Sequence, residues 1–142
     1  MREILFKAKR LNGEWVEGYY VKGKNEAGET EHYIANAKNK WVKLLLIAPE
    51  TLCQYTGTND RNGNKIWEND IVQDEKHEEY VGVVQYGKYA KCDCDQHETF
   101  VGFYTDWKWE SDLLRKDLGF WEDKVKVIGN IFDNPELVEE EK

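Results

Sequence analysis

The chain is poor in the residues that mark several large classes of protein. Two prolines, Pro49 and Pro135, among 142 residues exclude a proline-rich linker or tail. The longest apolar run, Leu44-Leu45-Leu46-Ile47-Ala48, is far short of the roughly 20 residues that a membrane-spanning helix needs, so no membrane segment is expected. Met1-Arg2-Glu3 leads into Ile4-Leu5-Phe6, and Lys7 closes that run too early for a secretion signal. Three cysteines, an odd number without such a signal, suggest reduced thiols and a cytoplasmic location. Positive charge is scarce as well: 20 Lys and Arg against 28 Asp and Glu leave a net charge of -8. A phosphate-binding surface gains affinity by releasing counterions to Lys and Arg, so nucleic acid is not the expected partner. The densest basic stretch, Phe6-Lys7-Ala8-Lys9-Arg10, reads as a solvated strand edge, where Lys discourages edge-to-edge aggregation.

What remains is a globular, β-forming composition. Apolar residues make up 40% and charged residues 34%, with six Trp, eight Tyr and five Phe, which a disordered chain would lack. Short alternating runs separated by Gly, Asn and Asp turns read as strands and hairpins. Ile4, Phe6 and Ala8 alternate, Asn12-Gly13 is a strong hairpin signal, and Trp15–Val21 returns as a second strand. Lys22–Thr30 is a loop, Glu31–Ala35 a third strand, and Trp41–Ala48 a buried strand or a short helix. Beyond Pro49 come Leu52–Tyr55, a turn carrying Asn62-Gly63, Ile66-Trp67, and a strand opening at Asp70-Ile71-Val72. Tyr80–Tyr86 is the clearest strand, Gly87–Glu98 a polar loop, Thr99–Tyr104 another strand and Val125–Ile128 the last. One helix is expected over Ser111–Leu118, with Ser111 as its cap and Gly119 at its C-terminal turn. The fold class is therefore all-β, a barrel or a pair of small sheets; the order of strands suits a small SH3-like barrel within 49–142, tailing off at the C-terminus, with residues 1–48 as an N-terminal β-meander packed on it.

Several long pieces are similar to one family. They are Met1-Arg2-Glu3-Ile4 with Phe6-Lys7-Ala8, then Leu52-Cys53-Gln54-Tyr55-Thr56-Gly57 with Asp60-Arg61-Asn62-Gly63. Lys65-Ile66-Trp67-Glu68-Asn69-Asp70-Ile71-Val72 follows, and Val127-Ile128-Gly129-Asn130-Ile131-Phe132-Asp133-Asn134-Pro135-Glu136-Leu137 closes the set. In these the chain resembles the YopX-like proteins of phages and prophages of Gram-positive bacteria. It departs from that pattern at Asn69, where Gly is usual before the Asp; Asn is the best non-Gly residue for positive φ, so the turn can survive. The resemblance implies an uncharacterised phage gene product with an SH3-like β fold, and no catalytic residues to carry over. The glycines and Asx residues of these pieces suit turns, while Ile66, Trp67, Ile71, Val72 and Ile128 suit a core.

Sites of chemistry are few. Cys92-Asp93-Cys94-Asp95-Gln96-His97, joined by His77, offers thiolate and imidazole ligands for zinc. A second Cys pair is missing and Cys53 stands far off in a strand, so Cys92, Cys94 and His97 are weak candidates, and no metal or cofactor is expected. Nucleophilic catalysis needs a Ser, Cys or Thr beside an oriented base. The single serine, Ser111, is explained as a helix cap, and His32, His77 and His97 stand in polar surroundings. Gly23–Gly28 lacks the context of a phosphate-binding loop. Trp107 and Trp109 could stack bases or sugars, but with Asp106, Glu110 and Asp112 beside them the core reading of at least one is preferred. The expectation is thus a non-enzymatic phage or prophage accessory protein that binds a phage or host protein in the bacterial cytoplasm. The alternatives are a nucleic-acid-binding SH3-like module, an anti-host protein that imitates nucleic acid, and an enzyme of unrecognised class. Exposed β edges also make a homo-oligomer credible.

Overall fold

A computed structural model describes residues 3–38, 41–92, 95–109 and 114–139, the side chains of 38, 92 and 95–97 excepted. Two compact units divide the chain, residues 1–55 and residues 56–142. The all-β expectation holds in both.

The first unit contains β1 (Phe6–Lys9), β2 (Trp15–Lys24), β3 (Thr30–Lys38) and β4 (Trp41–Leu46), a 3-10 turn at Pro49–Thr51, and the start of β5 (Cys53–Asn59). Its strands lie in the order β4-β3-β2-β1-β5. Asn12-Gly13 turns β1 into β2: Gly13 takes φ +88, its amide donates to the Arg10 carbonyl at 2.9 Å, and Glu14 N donates to Asn12 Oδ1 at 3.0 Å. Alternation sends Ala8, Val16 and Ile34 to the inner face, where Ile47, Phe6, Tyr20, Leu45 and Leu52 close around them. Thr51 ties the 3-10 turn to β1, since its hydroxyl accepts from Lys9 N at 2.8 Å and donates to the Ala48 carbonyl at 2.7 Å. Two expectations change here. The basic stretch is no strand edge, because β1 pairs with β2 on one side and β5 on the other. The run from Trp41 is a strand, but it is no buried one: β4 pairs only with β3 among the described residues, and along it only Leu45 packs against the inner cluster.

The second unit holds the remainder of β5, β6 (Lys65–Trp67), β7 (Asp70–Asp74), β8 (Val81–Cys92), β9 (Asp95–Trp107), α1 (Leu118–Trp121) and β10 (Val125–Asn130). One sheet runs β10-β7-β8-β9, and β6 lies beside β5. The expected closed barrel is not formed. Strands β8 and β9, 12 and 13 residues long, run on as a two-stranded ribbon well past the five residues of β7 and six of β10. The supposed polar loop 87–98 is largely this ribbon, with Lys88 opposite Val101 and Tyr89 opposite Phe100. Cross-strand pairing satisfies its backbone whatever the polarity of the side chains.

The helix is also displaced. Ser111 lies outside the described residues, residues 114–117 are non-helical, and the one α-helical turn among the described residues is Leu118–Trp121. The backbone that was to be helical is used otherwise. The Arg115 carbonyl accepts both indole N–H groups, from Trp107 at 2.8 Å and Trp121 at 2.7 Å. Lys116 bonds Thr105 N through its carbonyl and the Lys91 carbonyl through its amide.

Ile66, Val72, Val84, Trp107, Leu118, Trp121 and Val125 form the main core of this unit, and Ile71, Val81 and Val83 a second cluster joined by Ile128 and Ile131. Each such side chain contributes about 1.5–3 kcal/mol when fully buried. The family pieces supply the joints. Asn69 takes φ +72, as a residue standing for Gly must, and the buried Asp70 carboxylate accepts from Trp67 N at 2.9 Å. Asp60, also buried, accepts from Asn62 N and Asn64 N through one oxygen and from Val127 N through the other, each at 2.9 Å. It thereby fixes the Asn62-Gly63 turn and pins it to β10. At the end of β10 the Asn134 side chain sits against Gly129, where a Cβ would stand 2.5 Å from its Oδ1. Only glycine leaves that room.

Candidate interaction surface

The antiparallel register of the first unit sorts its side chains into two faces. Ile34 is opposite both Tyr20 and Leu45, and these three face the core. Their neighbours point the other way. Ala35 pairs with Tyr19 and with Leu44; Tyr33 pairs with Val21 and with Leu46; Ala37 pairs with Val42. The outer face of β2-β3-β4 therefore carries two complete cross-strand rows of apolar and aromatic side chains and part of a third. Val42 is 65% exposed, Leu44 58% and Tyr19 56%, with Val21 and Leu46 also open to solvent. Trp41, at the start of the same edge strand, is 76% exposed. Isolated exposed apolar residues need no explanation, but a contiguous group on one sheet face is the usual mark of an interaction surface. β4 ends its sheet among the described residues and adds to this, since it lacks Pro and carries only one charge, Lys43.

At one border of this face, Glu31 accepts hydrogen bonds from the Tyr33 hydroxyl and, at 2.8 Å, from Asn25 Nδ2. These two bonds, Tyr33's first, hold the Glu31 carboxyl below its ordinary value, and the same contact raises the Tyr33 phenol. The border is thus an ionised carboxylate beside an apolar field.

The residues singled out in the sequence are scattered. Cys94 and the side chains of Cys92 and His97 lie outside the described residues, and among the described residues no three His, Cys, Asp or Glu groups gather to hold a metal ion. Cys53 is buried in β5 and its thiol lies 3.2 Å from the Thr51 carbonyl. His32 stacks on Tyr20, with its Nδ1 2.5 Å from the phenol oxygen. His77 stacks on Tyr80 and meets the Asp74 carboxylate in the second unit. Trp107 fills the core, whereas Trp109 is half exposed at φ +58. The apolar face itself was missed. Its signal was the run Leu44–Ile47, which composition alone assigns to a core; only the pairing register shows that every second residue points outward.

Among the described residues no helix is long and apolar enough to cross a membrane. No curated protein matches the chain. Among solved structures, protein EF1440 from Enterococcus faecalis is similar at 18% identity over 98% of this chain and 100% of that one, with a TM-score of 0.49. The family described as YopX protein matches residues 6–139. That span takes in every joint described above, from β1 through Asp60 and Asn69 to Gly129 and Asn134, and the chain belongs to the YopX family.

Proposed function

We propose that this chain is a non-enzymatic accessory protein of a phage or prophage that acts in the host cytoplasm by binding another protein. The outer face of β2-β3-β4 is the surface it uses. The observation that carries the reading is the pair of apolar rows, Tyr19-Ala35-Leu44 and Val21-Tyr33-Leu46, left open to solvent. Burying such rows against a partner releases water from apolar surface, the main favourable term in most protein association. The phage setting is what the family resemblance implies. The non-enzymatic part rests on the sequence, which has a single serine and no recognised catalytic motif.

The test is a tagged pull-down from host lysate with and without nuclease, comparing the natural chain with the double variant Val42→Asp, Leu44→Asp. Both positions are exposed, so circular dichroism should be unchanged. The expected result is a stoichiometric protein that survives nuclease and is lost from the double variant. Capture that the variant leaves intact would remove this face from the reading. Partners that vanish with nuclease would favour a nucleic-acid module, for which the Lys7 and Lys9 ammonium groups, 4.7 and 5.4 Å from the Trp15 ring centre, would be the first place to look.

A further inference from the structure

The second unit contains a cavity of about 350 Å³ between the turn that follows β7 and the segment that ends α1. Its floor is aromatic, made by Tyr80, Phe120 and Trp121. Its rim is cationic. Arg61, Lys76 and Lys124 line it against two carboxylates, Asp74 and Asp123. That balance opposes the chain's net charge of -8.

The rim groups are held in different ways. Lys124 lies over the Phe120 ring at 4.3 Å and bonds the Phe120 carbonyl and Asp123. Arg61 is anchored to Glu75 at 2.7 Å. Lys76 has no ion-pair partner among the described residues. His77 is the most constrained: its Nδ1 is 2.6 Å from the carboxylate of the buried Asp74, and its ring stacks on Tyr80 at 4.8 Å and 25°. Asp74 is in turn fixed by β7 and by its amide, which donates to the Tyr80 carbonyl at 3.0 Å. A carboxylate on one ring nitrogen fixes the tautomer and the ring plane and leaves Nε2 for a ligand. Small-molecule sites combine an apolar floor with a few oriented polar groups in about 300–1,000 Å³. This cavity is at the lower end, with room for one ring system and its substituent rather than a polymer.

We propose that this cavity binds a small planar aromatic anion, its ring against the Tyr80–Phe120–Trp121 floor and its acidic group at Lys76 and His77. A mononucleotide and a free aromatic carboxylate share this chemistry. A neutral ring would leave Lys76 without a counter-charge, whereas Arg61 and Lys124 already have Glu75 and Asp123, and a bare anion would leave the aromatic floor wet.

Calorimetric titration of the full chain tests this with adenosine 5′-monophosphate, indole-3-carboxylate, adenosine and inorganic phosphate. The expected result is one-to-one binding of at least one aromatic anion. Binding should weaken by about tenfold or more in Lys76→Glu and in His77→Ala, both of which remove a charge-assisted contact from an exposed position. Adenosine and phosphate should each bind about tenfold more weakly than the preferred anion. The nucleotide or the carboxylate responding alone identifies the source. No binding by either anion at millimolar concentration overturns the proposal, as does binding that both variants leave unchanged, or phosphate binding as tightly as the aromatic anions. Circular dichroism of each variant confirms that the fold is intact. The proposal is independent of the apolar face in the first unit and fails or stands separately from it.

Discussion

Glu31 and Tyr33 stand two residues apart on the outer face of β3, and their shared hydrogen bond couples the titration of each to folding. Glu31 is held below its ordinary 4.5, so its contribution is present above that value and fades as pH falls through the lowered one. Tyr33 is raised above its ordinary 10.0, so its contribution is present below 10.0 and fades as pH rises through the raised one. The pair therefore supports the folded chain across the neutral range and loses force at both ends. In Tyr33→Phe the main cause of the Glu31 shift is gone. Its carboxyl midpoint, followed by NMR, should rise towards 4.5 while Asn25 retains part of the depression. An unmoved midpoint would show that Asn25 alone sets it. At this scale the sequence was most legible where a residue type answers a backbone demand. Asn69 in place of the family's usual Gly implied positive φ, and it has it. It was illegible for Trp107 against Trp109, two residues of one type whose fates differ because one ends a core strand and the other lies just beyond it.

Between elements, Asp60 has the widest reach: one carboxylate accepts three backbone amides, two in its own turn and one at Val127, 67 residues away in sequence. Asp60→Ala should cost about 2–4 kcal/mol, because Val127 N loses its acceptor and the turn loses its anchor. Urea unfolding measures this, and a loss below about 1 kcal/mol would mean that water replaces the carboxylate at little cost. The same scale explains which elements were readable. Both Asn-Gly turns were, since Gly13 and Gly63 take φ +88 and +83, though the turn read around Asn62-Gly63 began too early, with Thr56–Asn59 part of β5. The β8–β9 ribbon was not, because an exposed two-stranded segment needs no apolar alternation. The helix was misplaced because the Arg115 carbonyl serves two indoles, eight residues before it and six after it, a demand that no capping signal reveals.

For the whole molecule, an apolar sheet face is carried by a chain of net charge -8. The two act oppositely on self-association: apolar burial favours it and like charge opposes it. Raising salt from about 0.01 M to about 1 M shortens the Debye length from about 30 Å to about 3 Å and removes most of the repulsion. Sedimentation should therefore show the average mass of the natural chain rising with salt, and that of Val42→Asp, Leu44→Asp remaining at one chain. A mass that falls with salt would instead assign association to ion pairs. Trp107 and Trp121 have a use at this scale too. Their rings lie 4.9 Å apart at 69° and donate to one carbonyl, all within the second unit, while Trp15 and Trp41 belong to the first. Two indoles so close and so rigidly angled couple their electronic transitions. The near-ultraviolet circular dichroism of this protein thus has a chromophore pair reporting on one half of the chain alone, a built-in optical label for following which unit melts first.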